Sequence, residues 1–385
     1  MPVRLGGVFN SNRCPLGIDF GSHALKLMQL QRQGGSGASA RYTLVAAAEV
    51  PLPADLPSAG APRTEALIRL LKQAVDAGGF QGRKCVTCLP APLVQYKNLR
   101  LPPMPVSELD RAVQFEAQDR LQVDAKASLI QYFNAGEVRQ GEDVRHEVIL
   151  MAAPVAAIDQ HVSVITGAGL DPVAIDVVPA ALARSLGTAG GTEADGDIDV
   201  IVDVGFAASK VLIVRQGRVG FYKQIDIGGR KLDEMVAKHL SLPLPDAAEL
   251  RRKVQTSADA GGVELFGSTR RESVDRAIFE ALRAAVGEMA REVGLCLRYY
   301  SVTFRGRRPD KALLVGGEAR EPQLASLLAE GAGIGVETAR PLQRVLTANH
   351  AALGEGPGFG HWAVAAGLSM RPGERSVRAG WGVAA

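Results

Sequence analysis

The sequence predicts an α/β protein of two related lobes facing one another across a cleft. Three observations carry that reading. A short phrase occurs twice, 184 residues apart: Gly17-Ile18-Asp19-Phe20-Gly21-Ser22-His23-Ala24-Leu25-Lys26 and Val202-Asp203-Val204-Gly205-Phe206-Ala207-Ala208-Ser209-Lys210. In each copy a strand-like run ends in Asp, Gly follows two residues later, and a Lys seven residues after the Asp opens a second apolar run. Strand-like runs then alternate with amphipathic helical stretches through both halves of the chain. Finally, Leu313-Leu314-Val315-Gly316-Gly317 reads as a buried strand ending in paired glycines ahead of a helix. The length of 385 residues exceeds the usual single domain, which suits two lobes with insertions.

The elements follow in order. The first hairpin spans about 16–30, residues 33–40 form a turn, and a third strand covers 42–50 before a proline-rich loop at 51–62. A helix at 64–77 carries Leu67, Leu70, Leu71, Ala74 and Val75 on one stripe and stops at Gly78-Gly79. A strand occupies 84–89. After the break at Pro102 to Pro105, Ser107-Glu108-Leu109-Asp110 caps a helix to about 121. Strands near 129–133 and 147–153, a helix at 155–168 and a strand at 173–177 complete a segment that reads as an inserted subdomain, 91–175. A polar break at 195–199 precedes the second hairpin from 200, a strand at 221–227, Gly228-Gly229 and a helix at 231–240. Residues 241–275 are polar. The clearest helix is 276–300, with Ile278, Leu282, Val286, Met289, Val293, Leu297 and Tyr300 on one stripe. A helix at 322–329 follows the Gly316-Gly317 strand, and a last one runs through Trp362 to Leu368. The expected domains are tails at 1–14 and 371–385, a first-lobe core at 15–90 and 176–195, the insert at 91–175, a second-lobe core at 196–230 and 276–370, and a second insert at 231–275.

Composition narrows the function classes. A net charge of +3 with 22% charged residues does not argue for nucleic acid. Basic clusters at 251–253, 270–271 and 305–308 read as solvated helix ends and loops, the competing reading being a membrane-surface or acidic-partner contact. No apolar run approaches the roughly 20 residues that span a bilayer, so direct membrane insertion is not expected. The start lacks a signal-peptide core, and four cysteines make no disulfide framework, so a cytoplasmic location is expected. Cys85 and Cys88 form a C-x-x-C, but on a strand these positions point to opposite faces, so two buried strand cysteines are expected.

The doubled hairpin carries the chemistry. Gly at the bend allows close backbone approach, and successive N–H groups at such a turn form an anion-binding concavity. An Asp at the strand end can hold Mg²⁺ through water. Two such turns face to face would grip a triphosphate from both sides, with the metal between Asp19 and Asp203 and the phosphates at Gly21 and Gly205. The Gly316-Gly317 strand end could accept a purine or ribose near a helix N-terminus, or be a tight strand–helix turn. His23 could reach phosphate or be an incidental turn residue. The Gly78 to Lys84 run has the wrong spacing for a Walker loop, and Gly331 to Gly335 does not fit the Rossmann fingerprint.

With these three elements in order, the chain resembles the actin-like ATPase superfamily. Asp19-Phe20-Gly21 and Asp203-Val204-Gly205 match its two phosphate hairpins and Gly316-Gly317 its adenosine motif. The finer resemblance is to the PilM family of type IV pilus assembly proteins, over about 15–370. It is carried by 17–21 with Lys26-Leu27, by Leu89-Pro90, by Ala112 to Ala117, by Phe221 to Gly229, by Ala248-Glu249 and by His361 to Leu368. The resemblance implies two duplicated ribonuclease-H-like domains, with 91–175 in the place of an FtsA/PilM-type 1C subdomain.

It further implies ATP and Mg²⁺ as cofactors. The expected nucleotide-binding residues are Gly21, Ser22, His23, Lys26, Gly205, Phe206, Ala207, Gly228, Gly229, Glu249, Arg252, Gly316, Gly317 and Glu318, with Asp19 and Asp203 on the metal. An adenosine-contacting Ala-Glu-x-x-Lys stretch is here Ala248-Glu249-Leu250-Arg251-Arg252, so Arg252 stands where the family has Lys. The implied partners are the N-terminal cytoplasmic peptide of a PilN-like bitopic membrane protein, bound between the first-lobe core and the insert, and other proteins of the pilus assembly platform. Self-association stays open. The location so implied is the inner face of the inner membrane, reached through partners. Active relatives position the attacking water with a carboxylate in the stretch matching 175–179. Asp176 is the catalytic candidate there and Val178 stands where Glu is frequent, so at most slow hydrolysis is expected. Alternatives are an FtsA-like or type II secretion scaffold and a small-molecule kinase, since one fold hosts all of these.

Overall fold

The computed structural model describes residues 12–35, 39–121, 123–140, 143–188, 198–215, 217–259, 268–304, 308–347, 353 and 359–371. Two sheets share one plan. In the first lobe, β1 (Arg13–Phe20), β2 (Ala24–Gly34) and β3 (Arg41–Pro51) form an antiparallel meander, and β4 (Lys84–Cys88) and β8 (Asp171–Asp176) add in parallel beside β1. In the second lobe, β9 (Ile198–Val204), β10 (Ser209–Arg215) and β11 (Arg218–Ile225) repeat the meander, and β12 (Lys311–Val315) and β13 (Gly335–Thr338) repeat the parallel pair. The same strand order built twice is the duplication that the doubled phrase predicts.

The insert lies between β4 and β8, with narrower limits than expected. Its sheet is β5 (Gln95–Leu101), β7 (Asp143–Pro154) and β6 (Ser128–Gln140), all antiparallel, with α2 (Val106–Leu121) on one face. The expectation of 91–175 is corrected: α3 (Val155–Gly167) packs on α1 (Gly60–Ala77), and β8 hydrogen-bonds to β4, so both belong to the first-lobe core. Parallel pairing of a short strand with a partner far away in sequence leaves no local signal. The strand β5 was not anticipated at all.

The end of the chain also departs from expectation. Residues 276–370 do not all stay in the second lobe. β14 (Val345–Leu346) pairs with β3, and α9 (Ala363–Ser369) packs on β1, β2 and α4 (Val178–Leu186). Small side chains make this approach possible. A Cβ on Gly367 would overlap the Ala181 carbonyl oxygen, and one on Gly17 the Ala365 carbonyl oxygen. Ser369 Oγ then donates to the Pro15 carbonyl at 2.8 Å and accepts from Leu30 N–H at 3.1 Å, pinning α9 to the first hairpin. The first strand begins at Arg13, inside the expected tail.

The second insert, expected at 231–275, contains α5 (Gly229–Leu240), α6 (Leu244–Asp259) and the start of α7 (Ser268–Phe304), and α5 packs on both of the others. Helix α8 (Leu324–Ala332) packs on α7 and β13 after a 3-10 turn at Gly317–Arg320. Cys85 packs in the first-lobe core with Leu16 and Ile18, whereas Cys88 packs with Val178 and Val315 on the other side of β4. Among the described residues no helix is long and apolar enough to cross a membrane. Residues 1–11, 189–197, 260–267, 305–307 and 372–385, which include most of the expected tails and part of the third basic cluster, lie outside the described residues, and the 270–271 side chains are not described either.

Candidate functional site

The two Asp-x-Gly turns meet at the mouth of a cleft of about 1010 Å³ between the lobes. Hairpin register sets the pattern on each side: Asp19 pairs with Lys26 across β1 and β2, and Asp203 with Lys210 across β9 and β10. The turns touch directly. Ala207 N–H donates to Ser22 Oγ at 3.2 Å, and the His23 ring lies 4.9 Å from the Phe206 ring.

Charge gathers beneath them. Lys210 Nζ donates to Asp203 Oδ2 at 2.8 Å, and Lys26 lies 3.8 Å from Glu49. Burial raises the Asp19 pKa against the pull of Lys26 and Lys210. Burial opposes the Lys210 ammonium too, but Asp203 and Asp19 hold its pKa above the ordinary value, so it stays charged. Burial, helped by Lys26 and Arg252, lowers the His23 pKa, which leaves that ring neutral at pH 7. Gly316 closes the floor with φ of +102°, and a Cβ on it would sit 2.6 Å from Asp203 Oδ1. Beside it Gly317 faces open space, with nothing within 4 Å of the Cβ it lacks.

The structure brings most of the sequence-predicted set together. Asp19, Gly21, Ser22, His23, Lys26, Asp203, Gly205, Phe206, Ala207, Arg252, Gly316, Gly317 and Glu318 all line the cleft. Gly228 and Gly229 do not; they buttress the second turn from behind. Gly229 N–H donates to the Gly205 carbonyl at 3.0 Å, and a Cβ on Gly228 would lie 2.5 Å from that oxygen. Glu249 is also set apart: it is exposed and paired with Lys253 at 2.7 Å, because its side of α6 faces solvent.

Asp176 is the clearest departure. It does not line the cleft, and its carboxylate is fully engaged, with Arg184 on one oxygen and Arg371 at 3.1 Å and Val177 N–H at 2.8 Å on the other. Burial alone would raise its pKa, but the two guanidiniums hold it below the usual range. A carboxylate held this way ties α4 to the C-terminal segment. Val178 does line the cleft, at the position the resemblance singles out.

Sequence reasoning missed Arg251. The 251–253 cluster was expected to be solvated, yet Arg251 is 2% exposed. Its guanidinium bonds Asp233 at 2.5 Å, Glu318 at 2.7 Å, Glu321 at 3.0 Å and the Gly229 carbonyl at 3.2 Å. It thereby ties α5 and α6 to the 316–321 turn and fixes Glu318 in the cleft wall. Helical spacing carried the signal: Ala247, Arg251 and Val254 fall on one face of α6, and Ala247 is fully buried. The cleft also has a second arm, between the start of α1, the 89–93 segment that leads into β5, and α3.

The family described as type IV pilus assembly protein PilM matches residues 17–372. Among solved structures the chain is similar to the PilM-PilN type IV pilus biogenesis complex, with a TM-score of 0.73 and 24% identity over 93% of this chain and 98% of that one. It is also similar to the ethanolamine utilization protein EutJ from Carboxydothermus hydrogenoformans, with a TM-score of 0.52 and 14% identity over 92% and 88% of the two chains. Both are likenesses of fold.

Proposed function

The chain belongs to the type IV pilus assembly protein PilM family, and from that premise we propose that it is a nucleotide-binding adaptor of a pilus assembly platform. It holds ATP·Mg²⁺ between its two Asp-x-Gly turns and takes the cytoplasmic N-terminal tail of a PilN-like membrane protein in the groove beside the insert. Its place is then at the inner face of the inner membrane, held there by that partner.

The observation that carries the nucleotide reading is the convergence of Asp19, Lys26, Asp203 and Lys210 under two touching glycine turns. The residues present fit the metal. Among the described residues no cluster of three or more His, Cys, Asp and Glu side chains forms an all-protein metal cage. Mg²⁺ asks for less, since it keeps several waters and is held by one or two carboxylates together with phosphate oxygens. Asp19 and Asp203 supply that pair, and the metal's contribution when bound is to neutralise the phosphate charge. Lys26 and Lys210 add positive charge from both lobes. The open backbone at Gly317, with Glu318 beside it, leaves room for the nucleoside.

Hydrolysis by this site is slow. The position that the resemblance reserves for a water-positioning carboxylate is apolar Val178, and Asp176 is locked in ion pairs elsewhere. ATP therefore serves as a structural ligand whose binding stabilises one arrangement of the lobes.

The second arm of the cleft supports the partner reading. It is lined by the first-lobe core, from the start of α1, the 89–93 segment that leads into β5, and α3; Leu129 of β6 and Val155 of α3 stand 51% and 41% exposed. The PilM family assignment favours this account over an FtsA-like or type II secretion scaffold and over a small-molecule kinase. Titration with a PilN-type N-terminal peptide, with and without ATP·Mg²⁺, tests it. Saturable binding whose affinity changes with nucleotide is expected; absence of binding in both conditions would sink the adaptor reading.

A further inference from the structure

We infer that the insert, although its chain departs from and returns to the first lobe, is mechanically part of the second lobe. Opening of the cleft then carries it away from α1 and α3, and the groove beside it widens and narrows with the nucleotide clamp.

The faces of the insert's sheet show how. Strand alternation sends Leu99, Val148 and Leu150 toward α2. It sends Phe133, Ala135, Ile149 and Met151 into a core shared with Leu212, Val214 and Tyr222 of the second-lobe sheet. β11 runs against all three strands of the insert and α7 against β6. On the first-lobe side the insert meets α3, where the chain continues from β7, and the shared core also takes in Cys88 of β4 and Val178 and Ala181 of α4.

A buried polar bridge fixes this contact. Glu147 on β7 is 1% exposed and accepts from the Tyr299 hydroxyl of α7 at 2.6 Å and from Arg100 Nε of β5 at 3.1 Å. Arg100 reaches on to donate to Thr303 Oγ1 of α7 at 2.6 Å. Tyr96 of β5 packs against Tyr222 of β11 with ring centroids 4.4 Å apart. Hydrogen bonds to a buried carboxylate are directional, so partners from both bodies hold one relative orientation. The links to the first lobe are slighter. One is the 89–94 segment with Pro90 and Pro92, the other the single junction at Pro154, and both are short connectors able to absorb a hinge rotation.

The consequence for partner binding rests on the nucleotide-adaptor reading above. If closing the clamp narrows the groove, ATP and the peptide change each other's affinity by the same factor. The mechanical statement itself needs no ligand.

Spin labels at Gln118→Cys on α2, Glu288→Cys on α7 and Gln73→Cys on α1, in a Cys14→Ser background, test it by pairwise distance measurement. In the nucleotide-free protein the 118–288 distribution is expected to be as narrow as a control pair within the second lobe, and the 118–73 distribution broader. ATP·Mg²⁺ is expected to shift 118–73 and 288–73 together and to leave 118–288 in place. Tyr299→Phe or Glu147→Gln should broaden 118–288. A 118–288 distribution no narrower than 118–73, or one that neither variant broadens, would overturn the inference. The widths decide it even if ATP·Mg²⁺ moves nothing, an outcome that counts against the nucleotide reading alone.

Discussion

Arg251 ties α5 and α6 to the 316–321 turn through Asp233, Glu318 and Glu321, and so holds one wall of the cleft. Three neighbouring basic residues look like a solvated helix end, but only Arg252 and Lys253 are exposed. Arg251 is drawn inward by Asp233, Glu318 and Glu321, which hold its pKa above the ordinary value despite burial. Removing the guanidinium leaves those carboxylates facing one another without a counter-charge. Arg251→Met is expected to cost about 3–5 kcal/mol, read as a lower urea midpoint, with Arg251→Lys recovering part of it. Two buried histidines set the acid limit. His161, bonded to Thr87 Oγ1 at 3.0 Å, is lowered by burial to about 4, and His361 by burial and Arg320 to about 3. In the unfolded chain both titrate near 6.5. Between those values the unfolded state takes up protons that the folded state refuses, so stability is lost as pH falls below about 6.5. His161→Gln is expected to remove about 3 kcal/mol of that loss between pH 6.5 and 4, measured by urea unfolding across the range. An unchanged pH slope would show that His161 is not responsible.

At the scale of elements, what was legible was local. The Asp-x-Gly turns, the Lys seven residues on, the α7 stripe and the Gly316-Gly317 strand end are set by neighbours in sequence, and the structure has them all. What was not legible depends on distant partners. β8 joins β4 and β14 joins β3 with few residues each, so neither strand announces its sheet, and the insert and second-lobe limits were misplaced accordingly. Asp176 failed for the same reason: its partner Arg371 arrives from the other end of the chain. The return of α9 to the first lobe depends on backbone contact with α4. Gly367→Ala is expected to force the two helices apart at a cost of about 1–3 kcal/mol, visible as a lower midpoint in thermal or urea unfolding. A neutral substitution there would show that the α4–α9 contact is looser than described.

The whole molecule is two copies of one sheet plan closing on a charged cleft, with an insert that grips the far lobe. Closure of that cleft and the shape of the groove beside the insert are then two readings of one motion, which suits an adaptor better than an enzyme with fast turnover. The clamp exists only if the paired turns hold a nucleotide with its metal. Titration calorimetry of ATP with Mg²⁺, on the native chain and on Asp19→Asn and Asp203→Asn, measures this directly. The native chain should bind one ATP with a marked Mg²⁺ dependence, and each variant should bind about 10–100-fold more weakly in Mg²⁺. Absence of ATP binding, or equal affinity in the native chain and both variants, would contradict it.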